Sequence, residues 1–462
     1  MKPRTFSLIA AISGLSMIVG TSTATAATER RDDARAGSEV ENITDTLGAA
    51  TRQGAPAQTT PPERFAPCVK GVAHLPEFDG HPVLESGAFP CKRTDLLSYL
   101  PPDEIGGGFA TGTGRGSDVW GWTDPETERE YVLAGKENGT AIVDISDPKR
   151  PVYLAELPTS SDQNLIWRDI KVFDDHAFIV SESPGHGMQV LDLTRLRDID
   201  PGDAPVVLEE DALYNGFLRA HNIVINQESG FAYAVDQRDD AEGCGRAMHM
   251  INISDPTNPT FVGCYDETRV HDAHCVIYRG PDTRFTDREI CITSTGGGLE
   301  VGVVDVTDKS DPVTLSLTGY PNAAFSHQGQ LLDGHRFYLH GSESTSRTPQ
   351  AVDIFDMADL TNPQHIGAFE TPAQSTHHNL YQKNRFIYQS NYKSGLRVYD
   401  ARNVADGELS EVAFFDVYPP NDDTGFGFGT WSNYAQFDSG VVAVHGYQGL
   451  WLVKPRLGER EP

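Results

Sequence analysis

The chain has 462 residues, of which 38% are hydrophobic, 22% charged and 9% aromatic. This globular balance excludes a wholly disordered chain. With 66 acidic against 37 basic residues the formal net charge is −29, which excludes nucleic acid and anionic membrane surfaces as default partners.

Residues 1–27 read as a signal peptide: Lys2 and Arg4 are its positive start, Phe6 to Gly20 its apolar run and Ala24-Thr25-Ala26 its small-residue cleavage site. The apolar run is too short for a spanning helix. Residues 28–62 have no hydrophobic periodicity and read as a flexible leader. Residues 63–116 form an N-terminal segment that carries Cys68 and Cys91. Six cysteines in an exported chain imply three disulfides. Proximity pairs Cys68 with Cys91, Cys244 with Cys264 and Cys275 with Cys291, one of the 15 connectivities open to six cysteines.

From residue 117 to 462 the chain repeats itself. An apolar strand ending in Asp or Asn, often followed by a DP or NP turn, recurs as AIVDISDP (141–148), QVLDL (189–193), HMINISDPTNP (249–259), VGVVDVTDKSDP (301–312), VDIFDMADLTNP (352–363) and LRVYD (396–400). LWLVKP (450–455) is a seventh copy without the Asp. Turn chemistry explains the pattern, because Asp accepts from its own backbone and Pro fixes φ. Ahead of each copy a polar residue opens a short apolar strand: Asp118, Asp169, His221, His274, His327, His378 and Ser432, with spacings of 51, 52, 53, 53, 51 and 54. Seven copies near 52 residues, each with room for four strands, predict an all-β, seven-bladed β-propeller of four-stranded blades. In blade 2 the strands are expected near 169–173, 176–181, 188–192 and 205–209. The chain ends after the third strand of blade 7, so an N-terminal strand from 65–116 is expected to close the ring and remove its open edges.

The stretches DLLSYLPPDEIGGG (95–108), DVWGWTDPETEREYVLAGKENGTAIVDISDP (118–148) and WRDIKVFDDHAFIVSESPGHGMQVLDL (167–193) resemble the choice-of-anchor B family of LVIVD-repeat proteins. The resemblance implies an exported bacterial propeller, and no particular chemistry. Family members carry varied C-terminal anchors. The end of this chain, Lys454 to Pro462, is polar, so a secreted or periplasmic protein without a membrane anchor is expected.

The first strand of a blade lines the central channel, so the seven register residues are expected to ring the axis. Four histidines in consecutive blades (His221, His274, His327, His378), preceded by Asp118 and Asp169, make a ligand set for a transition metal: Fe, Mn, Zn, Ni or Cu. Seven side chains exceed one ion's needs, and a structural polar ring with water or a substrate-binding ring without metal would use the same residues. Wiring of the ring to the Asp that ends the third strand is disfavoured, because the two lie roughly 15 Å apart at opposite ends of a five-residue strand. On the face of the ring, Glu182 and Asp236 are expected to orient imidazoles. Glu343 and Ser432 are expected as outer-shell or substrate contacts, and His186 in Pro184-Gly185-His186-Gly187 as a gate. His271 and His377, next to ring members, either add ligands or sit in the entering loops. The GGG runs at 106–108 and 296–298 lack the strand–loop–helix context of a phosphate cradle, so no nucleotide is expected. Two functions fit: a metal-dependent oxidoreductase, lyase or hydrolase acting on an unidentified small molecule, or an extracellular module that binds another protein without catalysis.

Overall fold

The computed structural model describes residues 64–75, 87–107 and 114–458; the expected signal peptide and leader lie outside the described residues. Seven antiparallel sheets stand around one axis as a seven-bladed β-propeller. The innermost strands are Gly116–Thr123, Arg168–Phe173, Asn222–Asn226, Asp272–Ile277, Ser326–Leu331, Leu380–Lys383 and Thr430–Tyr434. Among the described residues no helix is long and apolar enough to cross a membrane.

The repeat signature is a turn device. Where the third strand ends, Asp144, Asp192, Asn252, Asp305, Asp356 and Asp400 each accept the N–H two residues on, at 2.9–3.1 Å. The carboxylates also draw in arginines, as in Arg129–Asp144, Arg288–Asp305, Arg336–Asp356 and Arg402–Asp400. Between blades the apolar faces interlock, for example Val132, Ala134, Ala141 and Val143 of blade 1 with Ala443, Leu450 and Leu452 of blade 7.

Blade 7 is closed by the N-terminal segment. Thr94–Leu100 pairs antiparallel with Gly449–Pro455. Tyr99 stacks on Trp451 with ring centroids 3.9 Å apart, and its hydroxyl donates to the Gln448 carbonyl at 2.6 Å. The same segment adds Ala88–Lys92 and Val72–His74 to the outside of blade 6, giving a six-stranded sheet. The three disulfides are Cys68–Cys91, Cys244–Cys264 and Cys275–Cys291, closing loops of 23, 20 and 16 residues. Loops of this size each stabilise a fold by about 3 kcal/mol.

One strand differs from expectation. The 205–209 region does not complete blade 2. After two 3-10 turns, Leu193–Asp198 and Pro201–Asp203, the chain crosses to blade 1, where Val206–Val207 lies parallel to the outer strand Val152–Pro158. The chain then returns, and Ala212–Tyr214 forms the short outer strand of blade 2.

Candidate metal centre

A shared backbone bond defines the true register of the ring. The N–H of His221 donates to Val235 O, that of His271 to Ser294 O and that of His378 to Ser390 O, at 3.2, 2.8 and 2.9 Å. Each acceptor is the last residue of its blade's second strand. His327 reaches the same place by another route. The pairing slips between Ser326 and Gln328, so His327 sits in a bulge that re-aims its side chain. The four imidazoles form a chain across blades 3 to 6, with centroid separations of 4.4 Å (His221–His271), 5.0 Å (His271–His327) and 4.3 Å (His327–His378). Imidazoles sharing one ion with bonds near 2.1 Å would have ring centres about 4.6 Å apart in cis octahedral positions and about 5.3 Å apart in tetrahedral ones.

The ring nitrogens are held in a pattern that suits ligation. His378 Nδ1 lies 2.5 Å from the Trp431 carbonyl, and His221 Nδ1 lies 2.7 Å from Glu182 Oε1. Donation from Nδ1–H leaves Nε2 as the lone pair, the usual outer-shell arrangement of a metal-bound histidine. His327 keeps Nδ1 without a hydrogen-bond partner, and His271 keeps both ring nitrogens so, although their side chains are buried. Leaving such a group unsatisfied costs about 1–3 kcal/mol. Burial holds the His271 and His327 imidazoles well below their ordinary range and brings His378 down to about 3, so all three are neutral at pH 7. Burial is the largest pull on His221 too, but the Glu182 hydrogen bond and the charges of Glu182, Asp236 and Glu343 together outweigh it and raise the proton affinity of that ring.

Glu343 completes the cluster. Its Oε2 is 3.6 Å from His327 Nε2 and its Oε1 3.8 Å from His378 Nε2, and Oε1 accepts from the Tyr392 hydroxyl at 2.6 Å. Ligand atoms of His271, His327 and Glu343 all lie within 4.8 Å of one another. One side is walled by Ile166, Tyr392, Trp431 and Tyr447, with Trp167 and Phe426 packed against them.

The other ring residues lie elsewhere. His274 is not at the cluster: its Nδ1 accepts the Leu331 N–H at 3.1 Å and its Nε2 lies 3.2 Å from the Gln330 carboxamide, wiring blade 4 to blade 5. Asp118 and Asp169 sit further along the inner strands in a second cluster around Lys171, whose ammonium is 2.6 Å from Asp169 Oδ1 and 3.4 Å from Asp118 Oδ2. Asn379 bridges Asp118 and Ser432, at 3.4 and 3.1 Å. Burial is the strongest influence on both carboxyls. It prevails at Asp169, which is pushed well up, whereas at Asp118 the Lys171 charge together with hydrogen bonds from Asp169, Ser432 and the Ile170 N–H outweighs it, and that carboxyl is held down. Asp236 does not orient an imidazole. Arg246 and Arg269 hold it, and its Oδ2 stays 4.0 Å from His271 Nδ1. His186 is fully buried, 2.8 Å from Arg168 Nη1, so it cannot gate the mouth. His377 faces Thr371 Oγ1 at 3.0 Å, away from the cluster.

Residues 130–157 and 245–267 match the family model of the LVIVD repeat. The chain carries LVIVD repeats. Both matches contain the third and outer strands of a blade, with the turns capped by Asp144 and Asn252. Neither includes a residue of the histidine cluster. No curated protein matches the sequence. Among solved structures, the crystal structure of the computationally designed Ika8 protein is similar at a TM-score of 0.44 and 10% identity, over 74% of this chain and 83% of that one.

Proposed function

We propose that this LVIVD-repeat propeller is an exported metalloprotein. One divalent transition-metal ion would bind at the mouth of the channel through His271, His327 and Glu343, with His221 and His378 as the further donors. The observation that carries the reading is His271: a buried imidazole with two unpartnered nitrogens, between two other imidazoles at ligand spacing. An imidazole and carboxylate donor set suits Fe, Mn, Zn, Ni or Cu. A bound ion would supply Lewis acidity, an activated water or a redox couple, the basis for oxidoreductase, lyase or hydrolase chemistry. Glu182 would hold His221, Tyr392 would hold Glu343, and the Trp431–Tyr447 side would receive the apolar part of a small substrate. Three disulfides favour an oxidising compartment, in keeping with the signal-peptide pattern of residues 1–27 and the resemblance to the choice-of-anchor B family.

The test is elemental analysis by mass spectrometry of protein exported through its own N-terminal segment, beside His271→Ala/His327→Ala and His274→Ala variants. One equivalent of a transition metal in the wild type and in His274→Ala, lost from the double variant while the fold persists, is the expected result. No metal in any of the three, even after reconstitution, would overturn the reading and return the chain to the class of extracellular binding modules.

A further inference from the structure

A second group of ligand-type side chains lies at the outer side of blade 3, independent of the axial cluster. His249 in the strand Met248–Asn252 and Cys264 in the strand Thr260–Tyr265 are cross-strand partners. Asp240 and Cys244 come from the segment that links the second and third strands, and Cys244 is bonded to Cys264. The Cys244 Sγ lies 3.6 Å from His249 Nδ1, and His249 Nδ1 lies 3.3 Å from Asp240 Oδ1. Ligand atoms of Asp240, Cys244 and Cys264 all fall within 4.8 Å of one another.

These separations match the edges of a zinc tetrahedron. With Zn–S near 2.3 Å and Zn–N and Zn–O near 2.05 Å, the edges are about 3.5 Å from S to N, about 3.4 Å from N to O and about 3.8 Å from S to S. The sulfur–nitrogen and nitrogen–oxygen edges are already present, the sulfur–oxygen edges fall within 4.8 Å, and the sulfur–sulfur edge is closed to a covalent bond. The surroundings are those of a finished site. The His249 side chain is fully buried, and its Nε2 lies 2.7 Å from the Tyr214 hydroxyl, which would fix Nδ1 as the ligating nitrogen. The Asp240 carboxylate is aimed by the backbone N–H groups of Glu242 and Cys244, at 2.9 and 2.7 Å. Among the described residues, neither of the other two disulfides belongs to such a group.

We propose that the Cys244–Cys264 disulfide is one state of a redox-gated zinc site, whose other state is Zn²⁺ held by Cys244, Cys264, His249 and Asp240. Two equivalents of a small thiol RSH reduce the bond, leaving two protein thiols and RSSR. Zn²⁺ then displaces both thiol protons and binds the two thiolates. In the reverse direction RSSR takes two electrons from the thiolates, the Cys–Cys bond re-forms, Zn²⁺ leaves and two protons complete two RSH. Four protein donors close the coordination sphere, so this is a structural site, which ties the outer strand of blade 3 to its neighbour in either redox state.

Co²⁺ is the probe, because a thiolate-to-cobalt charge-transfer band cannot arise from the imidazoles and carboxylate of the axial cluster. The reduced protein is expected to show that band at one equivalent of Co²⁺, over and above any ion held by the axial cluster, and the oxidised protein is expected to show no such band. The band should persist in Cys68→Ser/Cys91→Ser and in Cys275→Ser/Cys291→Ser, and vanish in Cys244→Ser/Cys264→Ser. Zn²⁺ should also shield Cys244 and Cys264, alone among the six cysteines, from alkylation. Absence of the band from reduced protein, its survival in Cys244→Ser/Cys264→Ser, or alkylation of Cys244 and Cys264 undiminished by Zn²⁺ would overturn the proposal, and none of these outcomes bears on the axial centre.

Discussion

Two clusters of buried polar side chains lie near each other along the channel, and they are satisfied in opposite ways. Around Lys171 the chain supplies its own counter-charge. The ammonium meets two carboxylates and the Ile170 carbonyl, and lies 4.5 Å over the Trp120 ring. Asp118 and Asp169 also accept the N–H groups of Ile170 and Ile223, at 3.3 and 2.7 Å. In the histidine cluster, among the described residues, three buried imidazole nitrogens of His271 and His327 have no hydrogen-bond partner. Burial of a polar group without a partner is costly, so a self-neutralised cluster marks structure, and a cluster with orphaned donors marks a place for something from outside.

That contrast can be broken at either end. Lys171→Met strands two buried carboxylates, and removing one partner of a buried pair costs about 3–5 kcal/mol; urea unfolding should show a loss of that size, and a variant as stable as wild type would refute the self-neutralised reading. His271→Ala/His327→Ala should abolish metal uptake and cost the metal-free protein about 2–5 kcal/mol in urea unfolding, because the cavity left by two buried rings outweighs the relief of their unpartnered nitrogens. Glu182→Gln weakens the anchor of His221 and should lower metal affinity about 10–100-fold, as loss of an outer-shell partner does, measured by competition with a chelator.

A pH dependence sharpens the comparison further. Asp169 is raised well above the ordinary carboxylate range, so the folded pair keeps a proton that the unfolded chain has already released. The stability it contributes is complete below about pH 4 and is lost as pH rises through the folded value. Asp169→Asn should remove that fall, seen by comparing urea midpoints at acidic and neutral pH. The smallest effect on metal is expected of His274→Ala, which should cost about 1–3 kcal/mol from two lost hydrogen bonds and leave metal content untouched.

The architecture was legible because six of the seven blades repeat one hydrogen-bonded turn device. The Asx turn at the end of the third strand and the polar opening of the first recur near every 52 residues, and both depend only on local chemistry. The ring register was less legible. VHDAH offers histidines at 271 and 274, and equal spacing selects His274, but spacing carries the lengths of intervening loops as well as strand register. Blade 4 inserts a 3-10 turn, Thr283–Phe285, between its first two strands, and blade 5 then carries a bulge at His327. The backbone bond from His271 to Ser294 is the deciding feature, and no residue type announces it. Asp118 sits in a similar slip between Gly116 and Val119, which helps carry it to the Lys171 cluster. Val206–Val207 escaped for a different reason: a two-residue strand has no periodicity to read.

The closing blade joins groups that are far apart in the chain, Tyr99 and Gln448 being separated by 349 residues. Pairings of that span form late, after the cost of closing so long a loop has been met. The four imidazoles come from four consecutive blades, so their mutual spacing is set only when those blades have packed against one another. An ion that binds there meets a finished cage and not a growing chain. If the proposed centre is filled, the choice among metals of similar ligand preference would then be made by supply: whichever ion is abundant in the compartment where the last blade zips shut.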